Sequence, residues 1–172
     1  MSDDRAVSVF GAAGAAPDSD ECALAERVGA VLASAGLAVA SGGYGGAMEA
    51  VSRGAAEAGA EVIGVTCRIW HAAPNRFVTR VVETADRYER LRTLIELGRA
   101  GWVALPGLTG TLVELAMALE LSAKGAAERP LACVGDYWRP VVELLARRRP
   151  DVSACARFVA DPDELAGLFA SP

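Results

Sequence analysis

One carboxylate and the backbone just before it carry the most specific chemical signal in the sequence. Leu105-Pro106-Gly107-Leu108-Thr109-Gly110-Thr111-Leu112-Val113-Glu114 joins an apolar run, Trp102 to Leu105, to a stretch with helical spacing at Leu112, Leu115, Ala116 and Leu119. A strand, a glycine turn and a helix in that order aim backbone N–H groups and a helix N-terminus at an anion. Gly107, Leu108, Thr109, Gly110 and Thr111 are therefore the candidate phosphate-holding residues. Two roles are open to Glu114. It closes a Thr111-x-x-Glu114 capping box at the helix start, or it faces a reacting centre and stabilises positive charge or takes a proton from water.

Two further glycine turns follow apolar runs: Gly11-Ala12-Ala13-Gly14, and Ser41-Gly42-Gly43-Tyr44-Gly45-Gly46 leading into Ala47-Met48. Gly43, Gly45 and Met48 are the ligand candidates of the second. Cationic candidates lie on one helix, Arg90 and Arg92, and either can meet an anion. Trp70, Arg76 and Tyr44 are candidates for lining a ring pocket. The single histidine, His71, reads as a loop residue without a catalytic role, and the run Arg147-Arg148-Arg149 reads as cations suited to a helix C-terminus.

Several chemistries are excluded by what is absent. None of the three turns is a G-x-G-x-x-G, and no G-x-x-x-x-G-K-[ST] occurs. The only lysine, Lys124, stands near a helix end, which removes the usual Schiff-base candidate. No serine occupies a G-x-S-x-G turn. Cys22, Cys67, Cys133 and Cys155 are far apart and form no C-x-x-C, so no metal site is expected; they read as small apolar residues of a reducing compartment. No cofactor is implied.

The elements that must position these groups alternate. Apolar runs at Ala6 to Phe10, Leu37 to Ala40, Glu61 to Val65, Trp102 to Leu105, Leu131 to Val134 and Arg157 to Ala160 read as strands, with Phe77 to Val82 as a short edge strand. Helical spacing runs from Leu24 to Ala35 behind an Asp18/Glu21 capping box, then from Met48 to Ala58, Tyr88 to Gly98, Leu112 to Leu121, Trp138 to Arg149 and Pro162 to Phe169. Thr66 to Asn75 reads as a loop. The expected fold is an α/β, three-layer Rossmann-like parallel sheet with helices on both faces, a single nucleotide-binding domain over 1–172. Such sheets bind ligands beyond the carboxyl ends of their strands, where strand order reverses, so the three glycine turns share one rim.

The chain has 172 residues, 52% of them hydrophobic, and a net charge of −5. It can bury a full core, and the acidic balance argues against a nucleic-acid polymer as partner. The acidic start, Met1 to Arg5, has no apolar run fit for a signal peptide. The uncharged run from Val28 to Met48 is long enough to raise a membrane question, but its six glycines make it a helix end, a strand and a loop. A cytoplasmic location, no membrane contact and a homodimer through the apolar helix Leu112–Leu121 are the expectations.

Three segments together resemble the LOG ("Lonely guy") family of nucleotide phosphoribohydrolases. Gly42 to Met48 resembles its G-G-x-x-G-x-M turn, Gly59 to Val65 the strand that follows, and Pro106 to Glu114 its signature P-G-G-x-G-T-x-x-E. The similarity runs from about Val7 to Val134. It implies cleavage of the N-glycosidic bond of a nucleoside 5′-monophosphate, giving a free base and ribose 5-phosphate, with Glu114 and Arg90 as catalytic residues. In the best-known members the base is a cytokinin. Molybdenum-cofactor carrier proteins have similar folds and bind without turnover, so a non-catalytic binder of a phosphorylated small molecule is the alternative. The signature's second glycine is Leu108 here, which is costly if that position needs positive φ and harmless if it needs only a free N–H. The first turn has Ala12 and Ala13 where the family commonly has serines.

Overall fold

The computed structural model describes residues 5–169; Met1 to Asp4, most of the acidic start, lies outside them. Strands and helices follow one another along the described chain as β1 (Ala6–Phe10), α1 (Asp20–Ser34), β2 (Ala38–Ser41), α2 (Ala47–Glu57), β3 (Val62–Cys67), β4 (Arg80–Thr84), α3 (Arg87–Leu97), β5 (Gly101–Ala104), α4 (Thr109–Ala123), β6 (Leu131–Val134), α5 (Arg139–Ala146), β7 (Arg157–Val159) and α6 (Glu164–Phe169). They alternate except at β3 and β4, which are consecutive. The strands form one seven-stranded sheet in the order β4-β3-β2-β1-β5-β6-β7. Every pairing is parallel. This is the expected three-layer Rossmann-like α/β fold.

Strand alternation sorts the core into two layers. Val7, Val9, Val39, Val62 and Val103 face α1, α2 and α6. Phe10, Val65, Trp102 and Ala104 face α3, α4 and α5. Ser8 points into the second layer and is satisfied there, its hydroxyl donating to Leu94 O at 2.6 Å.

Some boundaries differ from the sequence reading for local reasons. The cap of α1 is Ser19, whose Oγ accepts from Cys22 N at 3.2 Å, so the cap sits one residue later than the Asp18/Glu21 box. The edge strand is Arg80–Thr84, later than Phe77 to Val82, because Asn75 first turns the chain: its Oδ1 accepts from Phe77 N at 3.1 Å. The helix expected to reach Arg149 ends at Ala146, and Pro150, which lacks an N–H to continue it, opens a short 3-10 turn. The uncharged run Val28 to Met48 is the end of α1, β2, a turn and the start of α2, and no helix among the described residues is long and apolar enough to cross a membrane. All four cysteines are free thiols, and no group of His, Cys, Asp or Glu among the described residues is placed to hold a metal.

Helices α1 and α2 meet backbone to backbone. A Cβ on Gly29 would overlap Val51 O, and a Cβ on Gly54 would overlap Glu26 O. The contact also carries the Arg53 Nη2–Glu26 Oε2 ion pair at 2.5 Å. Gly54→Ala is expected to lower unfolding free energy by about 2 kcal/mol despite alanine's better helix propensity, since one helix must move off the other. Urea unfolding of the variant checks this; unchanged or increased stability would show that the helices yield freely.

Candidate functional site

The chain builds outward from β1 to β4 on one side of the sheet and returns beside β1 with β5. Strand order therefore reverses between β1 and β5, and a crevice opens beyond their carboxyl ends. The cleft there has a volume of about 390 Å³. Gly11 to Gly14 line it after β1, Tyr44 and Met48 after β2, Trp70 and Ala72 after β3, Arg90 from α3, and Leu108, Gly110, Thr111 and Glu114 from the start of α4.

The start of α4 is the candidate anion-binding element. Its N-cap is Leu108, with no side-chain hydrogen bond to the first turn and no acidic residue in that turn. The first N–H groups of such a helix have no partner within it. Leu108 has φ −109° and ψ −156°, extended backbone that any residue adopts. The position therefore demands no glycine, and the Leu108 side chain stands exposed at the cleft's rim. Gly107 is the demanding position, since a Cβ there would overlap Thr111 Oγ1. Two aromatic residues beyond β6 brace the turn: Tyr137 donates from its hydroxyl to Gly107 O at 2.9 Å, and Trp138 from Nε1 to Leu105 O at 2.8 Å.

The Thr111-x-x-Glu114 capping box does not form. The helix begins at Thr109, which makes Thr111 its third residue and carries Glu114 past the reach of the free N–H groups. Glu114 faces the cleft instead, with its side chain 14% exposed and its Oε1 3.9 Å from Arg90 Nη1. Burial pushes its carboxyl up to about 7, against the opposing pull of Arg90.

Arg90 is held from several directions. Its Nε donates to Val65 O at 2.8 Å. Its guanidinium lies 5.0 Å from the Trp70 ring centre and 5.6 Å from that of Tyr44. A Cβ on Gly42 would overlap its Nη2. Burial pulls its pKa below the ordinary value, and Glu114 pulls the other way.

Other sequence candidates separate. Met48 lines the cleft, whereas Gly43 and Gly45 lie in the turn beside it without lining it. Gly43 is needed for shape: it has φ 74°, and a Cβ would sit 2.9 Å from Gly64 Cα on β3. Thr109 is exposed at the start of α4 and does not line the cleft. Arg92, two residues from Arg90 and so on the far side of α3, opens onto a separate hollow with Leu91, Ile95 and Met117. Of the ring-pocket candidates, Tyr44 and Trp70 line the cleft, 5.7 Å apart between ring centres, while Arg76 lies elsewhere, over Phe77. His71 is exposed outside the cleft; it is the one non-glycine residue with positive φ among the described residues.

Asn75 was not legible as a site residue. Its backbone N–H donates to Gly43 O at 2.7 Å, and its Nδ2 donates to Tyr44 O at 3.0 Å. Tyr44 Oη in turn accepts from Cys67 N at 2.7 Å. These bonds tie the turn after β2 to the end of β3 and the loop beyond it, and so fix the wall against which Arg90 lies. The asparagine beside Pro74 was the only local signal.

Comparisons agree with this architecture. Residues 4–128 match the model of the SLOG cluster4 family. No curated protein matches the chain in sequence. Among solved structures, the molybdenum cofactor binding protein from the phototrophic bacterium Rippkaea orientalis is 24% identical, with a TM-score of 0.76 and coverage of 95% of this chain and 93% of that one. The molybdenum cofactor carrier protein of Chlamydomonas reinhardtii is 21% identical, with a TM-score of 0.72 and coverage of 94% and 93%. DNA processing protein A from Helicobacter pylori, which binds single-stranded DNA, is 14% identical, with a TM-score of 0.63 and coverage of 94% and 78%. At these identities the likeness is one of fold.

The raised Glu114 pKa has a measurable consequence. The folded state holds this proton more tightly than the unfolded chain, so Glu114 costs nothing below its ordinary 4.5, and its cost builds between 4.5 and about 7 and is complete above that. Glu114→Gln should therefore gain stability relative to the parent between pH 4 and pH 8, by about 3 kcal/mol. Denaturant titrations at both pH values check this, and a pH-independent difference would mean that Glu114 titrates like a solvated carboxylate.

Proposed function

We propose a function from one premise: the chain belongs to the SLOG cluster4 family. The protein binds a phosphorylated small molecule in the cleft at the switch in strand order. The observation that carries this reading is the uncapped start of α4, free of acidic residues in its first turn and opening into a cleft with a single cation, Arg90. Backbone N–H groups at Thr109 to Thr111 and the Thr111 hydroxyl hold the phosphate. Arg90 and Glu114 bracket the group attached to it. The Rippkaea and Chlamydomonas neighbours, described as binding or carrying the molybdenum cofactor, support a binder of this kind. With a net charge of −5 the chain presents no basic field, and DNA is not the ligand we assign despite the DNA processing neighbour.

A second reading is favoured by Glu114. Its spacing in P-G-L-T-G-T-L-V-E resembles the LOG signature, and a carboxyl near 7 is poised at neutral pH. In this reading the protein is a phosphoribohydrolase acting on a nucleoside 5′-monophosphate. The Glu114 carboxylate faces C1′ of the ribose, stabilises the oxocarbenium-like transition state and takes a proton from the attacking water. Arg90 holds Glu114 charged as positive charge develops. The C1′–N bond breaks as the water oxygen bonds to C1′, and the proton taken by Glu114 passes to the departing base, leaving free base and ribose 5-phosphate.

Two measurements test these readings. Titration calorimetry with ribose 5-phosphate is expected to show binding that weakens tenfold or more in Gly107→Ala, where the new methyl displaces Thr111; no binding by the parent would remove the phosphate site. Chromatography of nucleoside monophosphates incubated with the protein separates the readings. The binder releases no base. The hydrolase releases base, and Glu114→Ala slows it at least a hundredfold; release undiminished in that variant would remove Glu114 from catalysis.

A further inference from the structure

The Arg90–Glu114 pair is the floor of two hollows. Trp70, Arg90, Gly110 and Glu114 line the phosphate cleft and also a neighbouring hollow of about 340 Å³, closed on its other side by Arg87, Tyr88, Leu91 and Val113. The two differ in character. The first is walled by glycine and alanine backbone and the α4 N-terminus, and the guanidinium of Arg90 covers one face each of Tyr44 and Trp70. The second holds aromatic and branched side chains left open to solvent: Tyr88 is 80% exposed and Val113 52%. Among the described residues the Tyr88 ring meets no other ring and its hydroxyl makes no hydrogen bond. The backbone beneath it is nevertheless fixed, because Asp86 Oδ1 accepts from Tyr88 N at 2.8 Å and from Glu89 N at 2.9 Å.

We propose that this second hollow is a subsite for a planar heteroaromatic ring, so that the ligand spans both hollows with its phosphate on the start of α4 and its ring between Trp70 and Tyr88. The inference rests on the reading of the first cleft as a phosphate site. Each hollow alone lies at the lower end of the size range of ordinary ligand pockets, and the two together fall well inside it. Tyr88 and Trp70 offer stacking area, Val113 and Leu91 an apolar wall, and the Arg87 guanidinium a donor for a ring-edge oxygen or nitrogen. The Arg90–Glu114 pair then lies under the bond that joins ring and phosphate-bearing parts.

The test compares probes that fill one hollow or both. Ribose 5-phosphate fills the first alone; the four common ribonucleoside 5′-monophosphates add a ring. At least one nucleotide is expected to bind tenfold or more tightly than ribose 5-phosphate. Val113→Trp, which fills the second hollow from an exposed helix position, and Tyr88→Ser should each erase that gain while ribose 5-phosphate affinity changes less than twofold. The subsite is overturned if no nucleotide exceeds ribose 5-phosphate, if the gain survives both substitutions, or if both classes of probe weaken equally. If neither class binds the parent protein, the phosphate site of the proposed function fails and the subsite with it. Melting curves of both variants establish that they fold.

Discussion

A guanidinium taken out of water must be repaid from its surroundings, and Arg90 is where this chain meets that constraint. The surroundings that do so are five residues on three separate stretches of chain. Val65 at the end of β3 accepts a hydrogen bond, Gly42 after β2 leaves room, Tyr44 and Trp70 offer ring faces, and Glu114 on α4 supplies the opposite charge. Three residues that line the cleft, Tyr44, Trp70 and Glu114, thus meet on one cation. The same burial holds Glu114 near neutrality, because one partner at 3.9 Å offsets only part of its own lost hydration.

The parallel sheet makes that assembly possible. Each strand delivers its following turn to the same edge, and the reversal between β1 and β5 leaves a gap there that no crossover fills. Close approach then decides where glycine is required. Gly43 and Gly46 take positive φ, and Gly46 lies against the carbonyls of Ala12 and Ala13, so the turns after β1 and β2 pack backbone to backbone. Leu108 carries no such demand, and a leucine at the signature's second glycine leaves the turn intact.

Binding and catalysis call on the same groups in different degrees. A binder needs the free N–H groups of α4 and a wall that fits its ligand. A hydrolase needs in addition that Glu114 be ionised when charge develops at the sugar. Because the carboxyl sits near 7, the site is poised between a neutral hydrogen-bond donor and a charged stabiliser, and a bound phosphate nearby would favour the neutral form by like-charge repulsion.

The order and type of elements were legible from sequence because periodicity and glycine placement are local. Apolar runs followed by glycine turns and helical spacing determined a parallel α/β fold, and the P-G-x-x-G-T-x-x-E run determined that a glycine turn opens a helix with an acid just beyond its first turn. Helix phase and long-range contact were not local, and the tertiary structure decided them. It turned Arg90 inward and Arg92 outward, because residues two apart on a helix point to opposite sides. It began α4 at Thr109 and so released Glu114 from a capping role. It made Asn75, Tyr137 and Trp138 the braces of the cleft, through hydrogen bonds to carbonyls about 30 residues away in chain. A residue's type and spacing set what it can do, but which groups share a low-dielectric space depends on how the sheet brings its turns together, and that shared space is what shifts Glu114 and holds Arg90.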